Sequence, residues 1–253
     1  MDIDIYYTKF GILGYGYVGR ATHKGLLKDA NAIVYDTKFD LDKDIIYDAD
    51  LVFICIPTVT NEDIAVIIKE IKDLQLQNPS VKIVIRSTLP LGASRRIQEQ
   101  VGTIIYIPEF LRERYWETDC LNRPLIVGCD SSNYLPDCLR NEEILECTTS
   151  EAELVKMFSN NFAVMQIAFA NMFYDLAQTT GSDYNTVKDM YSIIQRDRKY
   201  MEVPGYDGSR GFGGKCLPKD LDFLIETLDE HDIKHCFNKI RELNKMWRQT
   251  ELV

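Results

Sequence analysis

The sequence lacks the features that mark membrane, secreted and nucleic-acid-binding proteins. No apolar run approaches the roughly 18 residues of a membrane span, and Asp2 and Asp4 are atypical of the start of a signal peptide. The formal charge is −10, and a surplus of acidic residues disfavours nucleic acid or anionic lipid as a partner. We therefore expect a cytoplasmic protein that binds neither nucleic acid nor membrane.

Closely spaced cysteine pairs and converging histidines are also missing. The seven cysteines are odd in number and scattered along the chain, which argues against a disulfide framework. His23, His231 and His235 do not converge on any motif, and we expect no metal.

The first half of the chain alternates short apolar runs with helical patterns. Such alternation predicts a parallel sheet with helices on both faces, and we assign residues 1–148 to a Rossmann-like α/β domain with its nucleotide-binding part at 9–130. The predicted strands are Lys9–Leu13, Ala32–Tyr35, Leu51–Ile56, Lys82–Arg86, Ile104–Ile107 and Leu125–Val127. The predicted helices are Val18–Leu27, Asp63–Leu76 and Ala93–Val101.

The second half, residues 149–253, has a different pattern and is predicted to be all-α. Ser150 and Glu153 have the spacing of a capping box ahead of one long helix over 151–180. Further helices are expected at about 183–195, 218–230 and 233–250, and no strand after about residue 130. A helix this long needs apolar cover from several partners, including a second subunit.

A glycine-rich motif, Gly14–Gly19, stands between the first strand and the first helix. It matches Gly-x-Gly-x-x-Gly, and Asp36 follows at about the 20-residue offset typical of dinucleotide-binding domains. A carboxylate there binds ribose hydroxyls and disfavours a 2′-phosphate, so the pattern predicts NAD. FAD or an S-adenosyl compound is the alternative ligand for such a turn.

The decapeptide Gly211–Asp220 indicates covalent chemistry. Its glycines allow close backbone approach to a ligand, and Cys216 is expected just before a helix N-terminus, between Lys215 and Lys219. Such surroundings lower a thiol pKa and favour a reactive thiolate. Asp220 lies one helical turn further on, while Lys156 and Asn160 share a face of the long helix.

Together these motifs resemble the UDP-glucose/GDP-mannose dehydrogenase family. The resemblance covers nearly the whole chain and is carried, in order, by Gly14–Gly19, Ser87–Pro90, Pro108–Glu113, Glu153–Asn171 and Gly211–Asp220. It implies oxidation of the C6 alcohol of a nucleotide-linked hexose, with UDP-glucose favoured, to a uronate by two hydride transfers to NAD.

The resemblance also implies roles for individual residues. The implied catalytic residues are Cys216 as nucleophile, Asp220 as base, Lys156 and Asn160 as oxyanion stabilisers, and Glu109 as an aid to proton transfer or thioester hydrolysis. The expected cofactor contacts are Gly14, Tyr15, Gly16, Tyr17, Val18, Gly19, Asp36, Pro57, Thr88 and Glu113. The expected substrate contacts are Phe110, Leu111, Gly211, Phe212, Gly213 and Gly214.

The chain departs from the family in one major respect, because the family's C-terminal nucleotide-binding domain is not expected within 253 residues. We expect a homodimer through the 151–180 helix, a nucleotide-sugar substrate, and a separate chain as one possible source of nucleotide binding. Arg196, Arg198 and Arg210 are candidates for an arginine that crosses the dimer to the sugar. The alternatives are a two-domain β-hydroxyacid dehydrogenase and a non-catalytic NAD-binding subunit.

Overall fold

The computed structural model describes residues 8–60, 62–121, 124–131, 133–139, 144–194, 202–228 and 232–249. The chain separates into two compact units, one up to Lys156 and one from Met157 onward. None of the described helices is long and apolar enough to cross a bilayer.

The first unit is built on a seven-stranded sheet in the order β2-β1-β3-β4-β5-β6-β7. All neighbouring strands run parallel except β5 and β6. The strands are β1 (Phe10–Leu13), β2 (Ala32–Tyr35), β3 (Leu51–Ile54), β4 (Lys82–Ile85), β5 (Ile105–Tyr106), β6 (Leu125–Cys129) and β7 (Ile144–Cys147). The chain leaves β1 in one direction for β2 and returns to the other side for β3. This reversal creates the crevice at the carboxyl ends of the strands where ligands bind in open α/β sheets.

The six predicted strands are confirmed to within two residues at each end, but the expectation of no strand beyond residue 130 is wrong. Residues 144–147 form β7, which pairs with β6. It is a four-residue edge strand with a half-exposed, mixed sequence. Its pairing partner, rather than its own apolar pattern, makes it a strand.

The helices of this unit cover both faces of the sheet, as the sequence predicts. They are α1 (Tyr17–Ala21), which continues as a π-helical turn over Thr22–Leu26, α2 (Glu62–Gln77), α3 (Ala93–Val101) and the short α4 (Trp116–Asp119). Short 3-10 turns occur at Lys43–Asp48, Glu113–Tyr115 and Asp137–Leu139. Buried side chains of α2 and α3 pack on the face that carries Leu13, Val52 and Ile85. Phe10, Ile12 and Phe53 belong to the core of the opposite face.

The long helix α5 (Thr149–Thr180) is confirmed, but its predicted capping box is wrong by two residues. Thr148 and Glu151 form the box: the Thr148 amide donates to Glu151 Oε2 (2.8 Å) and the Glu151 amide donates to Thr148 Oγ1 (3.2 Å). Glu153 instead accepts hydrogen bonds from the amides of Gly92 (2.7 Å) and Ser94 (2.5 Å). It therefore satisfies the N-terminus of α3 rather than that of its own helix.

The second unit is helical, as predicted. It contains the remainder of α5, α6 (Tyr184–Ile194), α7 (Cys216–Thr227) and α8 (Asp232–Gln249). Its main core is a cluster of buried residues: Val164, Ala168, Phe212, Leu221, Ile225, Ile240 and Trp247. Phe212 anchors the glycine-rich loop ahead of α7 in this core.

Candidate active site

The three motif glycines occupy three different environments in the turn after β1. Gly14 has φ +92, and a Cβ there would lie 2.8 Å from the carbonyl oxygen of Cys55. A Cβ on Gly19 would collide with the carbonyl oxygen of Gly14, whereas one on Gly16 would meet nothing within 4 Å. Gly14 thus permits the turn, Gly19 permits close packing, and Gly16 leaves open space for a ligand to approach the backbone. These residues fit a dinucleotide.

Asp36 follows β2 and is already oriented by the glycine turn. Its Oδ2 accepts a hydrogen bond from the Tyr15 amide (2.7 Å) and its Oδ1 accepts one from the Lys38 amide (3.0 Å). A carboxylate oxygen accepts more than one hydrogen bond, so both oxygens retain capacity for ribose hydroxyls.

Tyr15 also contacts His23, which belongs to none of the sequence motifs. The Tyr15 hydroxyl lies 2.8 Å from His23 Nδ1, and His23 Nε2 lies 2.9 Å from the carbonyl oxygen of Ala30. Because a carbonyl only accepts, Nε2 carries the proton and the Tyr15 hydroxyl donates to Nδ1 when the ring is neutral. His23 therefore belongs to the support of the glycine turn, in contrast to our expectation.

The remaining predicted cofactor residues follow other strands at the same sheet edge. Pro57 is exposed after β3, Thr88 is buried after β4, and Glu113 begins the exposed 3-10 turn after β5. The Thr58 hydroxyl donates to the carbonyl of Thr88 (2.6 Å) and ties two of these strand ends together. Thr58 was not identified from the sequence, because a single threonine after a strand is not a distinctive signal.

Glu109 and Lys156 form a buried pair in the first unit. Each side chain is 2% exposed, and the Lys156 ammonium lies 3.2 Å from Glu109 Oε1 and donates to the Glu109 carbonyl (2.6 Å). Glu109 Oε2 accepts from the Leu111 amide (2.6 Å), and the ring centroid of Phe110 lies 5.5 Å from the Lys156 nitrogen. Because the pair is buried, each charge is stabilised by the other, and removal of either side chain would leave an uncompensated charge away from water.

In the second unit, Asp220 is fully buried in the first turns of α7. Asn160 Nδ2 donates a short hydrogen bond to Asp220 Oδ2, and the Lys219 ammonium lies 2.8 Å from Oδ1 in an ion pair without hydrogen-bond alignment. Cys216 is half-buried and is the first residue of α7 rather than the residue before it. Cys216 and Asp220 thus lie one turn apart at the positive end of a helix.

Two asparagines hold the glycine-rich loop that leads to Cys216. Asn171 accepts from the Gly211 amide (3.0 Å), while Asn244 accepts from the Phe212 amide (2.7 Å) and donates to the Phe212 carbonyl (2.9 Å). Gly211 has φ +72, and a Cβ there would collide with the amide oxygen of Asn244. Asn244 carries no sequence signal, because it lies 32 residues from its partner on a different helix.

Of the three arginines considered for a role across a dimer, Arg210 is unsuited. It is buried, ion-paired with Asp175, and its guanidinium carbon lies 4.9 Å from the ring centroid of Tyr174. Arg196 and Arg198, like His231, lie outside the described residues.

The doubly wound sheet and its glycine turn define a Rossmann-like fold, and comparison with solved structures supports this fold class. Two solved dehydrogenases have folds similar to that of this chain. They are UDP-D-ManNAc dehydrogenase from Pyrococcus horikoshii (TM-score 0.76, 19% identity, covering 94% of this chain and 68% of that one) and 3-hydroxyisobutyrate dehydrogenase from Mycobacterium tuberculosis (TM-score 0.67, 16% identity, 96% of both chains).

Sequence comparison identifies the family. Residues 150–246 match the central domain of the UDP-glucose/GDP-mannose dehydrogenase family. A UDP-glucose 6-dehydrogenase from Campylobacter jejuni is 30% identical over an alignment of 199 residues, and the alignment covers 72% of this chain and 50% of that protein. The chain spans about half the length of the curated relatives that it matches. The resemblance found in the sequence motifs is thereby confirmed.

Proposed function

We propose that the protein is an NAD-dependent nucleotide-sugar 6-dehydrogenase that oxidises the C6 alcohol of a UDP-hexose, UDP-glucose being favoured, to the uronate. The observation that carries the proposal is the pairing of Asn160 with the buried Asp220, one helical turn after Cys216. A base and a thiol at the start of one helix suit an alcohol oxidation that passes through a covalent intermediate.

The cofactor proposal rests on the glycine turn and Asp36. The open approach at Gly16 and the oriented Asp36 carboxylate favour a dinucleotide with an unmodified ribose. We assign its contacts to Gly14–Gly19, Asp36, Pro57, Thr88 and Glu113. Bound NAD⁺ supplies a hydride acceptor, and two equivalents are needed for each sugar.

The chain's own residues would accept the proton and form the covalent bond to the substrate. Asp220, directly or through water, accepts the hydroxyl proton as the alcohol becomes an aldehyde. The Cys216 sulfur then adds to the aldehyde carbon and forms a thiohemiacetal, which becomes a thioester when the second hydride and a proton leave. Water attacks that carbonyl, the carbon–sulfur bond breaks, and the uronate and the Cys216 thiol are released.

Charge stabilisation along this path is proposed for Lys156 and Asn160, which are one turn apart on α5. Both are hydrogen-bond donors, and fixed donors directed at a developing oxyanion lower the barrier. Glu109 would assist proton transfer or thioester hydrolysis. Phe110, Leu111 and the loop Gly211–Gly214 would contact the sugar.

We also propose that the functional unit is a homodimer through α5. Phe158, Phe162, Met165, Phe169 and Met172 are all exposed, and they are spaced by alternating steps of four and three residues. This spacing places them along one seam, as in helices that pair side by side. The nucleotide would be held by a further domain or chain, and we expect a cytoplasmic enzyme without a metal.

The decisive experiment measures NADH formed per sugar. Purified protein is incubated with NAD⁺ and UDP-glucose, then with other nucleotide hexoses, and NADH and acid product are quantified. We expect two NADH per sugar, loss of acid product in Cys216→Ser, and no loss in Cys236→Ser, which changes an exposed cysteine. Two NADH per sugar in Cys216→Ser would refute the covalent mechanism.

The same assay tests the alternative of a β-hydroxyacid dehydrogenase. Its support is the solved 3-hydroxyisobutyrate dehydrogenase fold, which this chain matches over 96% of both lengths. That reaction would give one NADH per hydroxy acid and would not need Cys216. Binding of NAD⁺ without turnover of any substrate would favour the non-catalytic subunit.

A further inference from the structure

A cavity of about 420 Å³ lies in the first unit, away from the glycine turn. One wall comes from the end of α1 and the π-helical turn, and the opposite wall from residues 108–111, 119–121, 124 and 125. Neither the glycines of the turn nor Asp36 lines it. Its volume falls within the range of small-molecule sites.

The most distinctive residue of this cavity is Arg86, a cation that is 5% exposed. Its Nε donates to the Thr22 hydroxyl (3.1 Å) and one terminal nitrogen donates to the Ile107 carbonyl (3.1 Å). Both partners are neutral, and Arg86 forms no ion pair with a carboxylate of the described residues. A buried guanidinium without a counter-anion is costly, and burial lowers the pKa of Arg86 accordingly.

No carboxylate of the described lining forms an ion pair with Arg86, although the charge of Glu109 partly offsets the effect of burial on the pKa of Arg86. Glu109 is paired with Lys156, and Asp119 accepts hydrogen bonds from the Arg112 side chain at 2.6 and 2.9 Å.

Two further cations, Lys24 and Lys28, and a third carboxylate, Asp29, line the cavity. Lys24 is ion-paired with Glu117 (3.5 Å), whereas Lys28 and Asp29 are exposed and form no ion pair with a described residue. Among the described residues of the lining, the charges without an ion-pair partner are therefore two cations, Arg86 and Lys28, and one carboxylate, Asp29.

The rest of the lining is largely apolar, with Leu26, Phe110 and Leu125 among its residues. We propose that the cavity binds a small organic anion whose carboxylate or phosphate group pairs with Arg86 and Lys28 and whose short apolar body packs on these three side chains. The site is distinct from the cofactor turn. It shares Glu109, Phe110 and Leu111 with the segment assigned to catalysis, so occupancy of the cavity would influence that segment.

Cys120 lines the cavity and provides a local reporter. The full chain is treated with N-ethylmaleimide with and without phenyl phosphate or benzoate, and alkylation of each cysteine is followed by peptide mass spectrometry. We expect saturating anion to slow alkylation of Cys120 about tenfold, by mass action. The exposed Cys236 should react at an unchanged rate. This readout needs no turnover, so it is independent of the proposed dehydrogenase activity.

Variants and a neutral probe make the test specific. Lys28→Gln should raise the half-protecting anion concentration about fivefold, a loss of roughly 1 kcal/mol, and Lys69→Gln, an exposed lysine of α2, should not. Arg86→Met should abolish protection. Because Arg86 also donates hydrogen bonds to Thr22 and Ile107, this variant could fail to fold, and Lys28→Gln then tests the proposal on its own. Protection by only one of the anions identifies which head group is bound. Protection by neither, or equal protection by the uncharged benzyl alcohol, would overturn the proposal.

Discussion

At the scale of single residues, Asp36 controls the choice of cofactor in our proposal. Replacement of Asp36 by Asn keeps the shape but removes the charge that repels a 2′-phosphate. We expect the NAD-over-NADP preference to fall about tenfold or more, since a hydrogen bond to a charged group contributes roughly 1.5–3 kcal/mol. Dissociation constants for both cofactors, measured by calorimetry, provide the test. Asp40→Asn, an exposed neighbour, is the control, and an unchanged preference in Asp36→Asn would argue against the assignment.

Gly16 and Gly19 should respond differently to the same substitution. Gly19→Ala places a methyl group against the Gly14 carbonyl and should destabilise the fold by about 1–3 kcal/mol. The methyl group added by Gly16→Ala would have no atom within 4 Å, so this substitution should leave the free energy of unfolding nearly unchanged. It should nevertheless weaken NAD binding. Urea denaturation and cofactor titration separate the two effects. Wild-type affinity in Gly16→Ala would mean that the cofactor does not approach this backbone.

Lys156 and Glu109 should show strong energetic coupling. Lys156→Met leaves a buried carboxylate unpaired and should destabilise the protein by about 3–5 kcal/mol. The double variant with Glu109→Gln should recover part of that loss, because the unpaired charge is removed as well. The exposed pair of Lys239 and Glu242 is the matched control, for which Lys239→Met should cost less than about 1 kcal/mol. Additive effects of the two buried substitutions in urea denaturation would contradict the coupling.

At the scale of elements, the beginning of α2 should make stability depend on pH. Hydrogen bonds from the amides of Thr60 and Val59 hold the pKa of Asp63 below its usual value. The stabilisation is therefore complete above the pKa of the unfolded state, about 3.9, and is lost as the pH falls through the lower pKa of the folded state.

The test of this dependence compares Asp63→Asn with Glu62→Gln, an exposed carboxylate on the same turn. Asp63→Asn should be less stable than the wild type at neutral pH, and the difference should shrink in acid below about pH 4. Glu62→Gln should show a smaller difference. Thermal unfolding measured across the acid range gives the answer, and a pH-independent difference for Asp63→Asn would rule out this role of its charge.

The elements also show where sequence patterns are ambiguous. Thr148/Glu151 and Ser150/Glu153 both have the spacing of a capping box, and the pattern does not distinguish them. Asp130 decides the matter: it accepts from the Thr149 amide (3.1 Å) and hydroxyl (2.6 Å) and so fixes the first helical residue. Glu153 then caps α3 instead. Its hydrogen-bond partners lie about 60 residues away in the sequence, so no local pattern predicts this contact.

At the scale of the whole molecule, the seam on α5 predicts self-association. Phe158 and Phe162 are 70% and 55% exposed in the isolated chain. Phe158→Glu should therefore leave the fold of the monomer unchanged but bury a charge in the dimer interface. We expect light scattering to give the mass of a dimer for the wild type and of a monomer for Phe158→Glu. Val66→Glu, an exposed apolar residue on α2, should remain dimeric. A monomeric wild type would refute the proposed assembly.

The sequence by itself determined the strands of the parallel sheet, the long helix, the glycine turn and the family. These features follow from local periodicity and from residue types that the backbone requires, such as glycine at φ +92 in the turn. Only the tertiary structure decided that β7 joins the sheet, that Glu153 caps α3, that His23 supports Tyr15 and that Asn244 holds the loop before Cys216. Each of these features depends on a partner that is distant in sequence. A polar group or strand edge without a hydrogen-bond partner is unfavourable only when it is buried, and burial is decided by the folded chain as a whole.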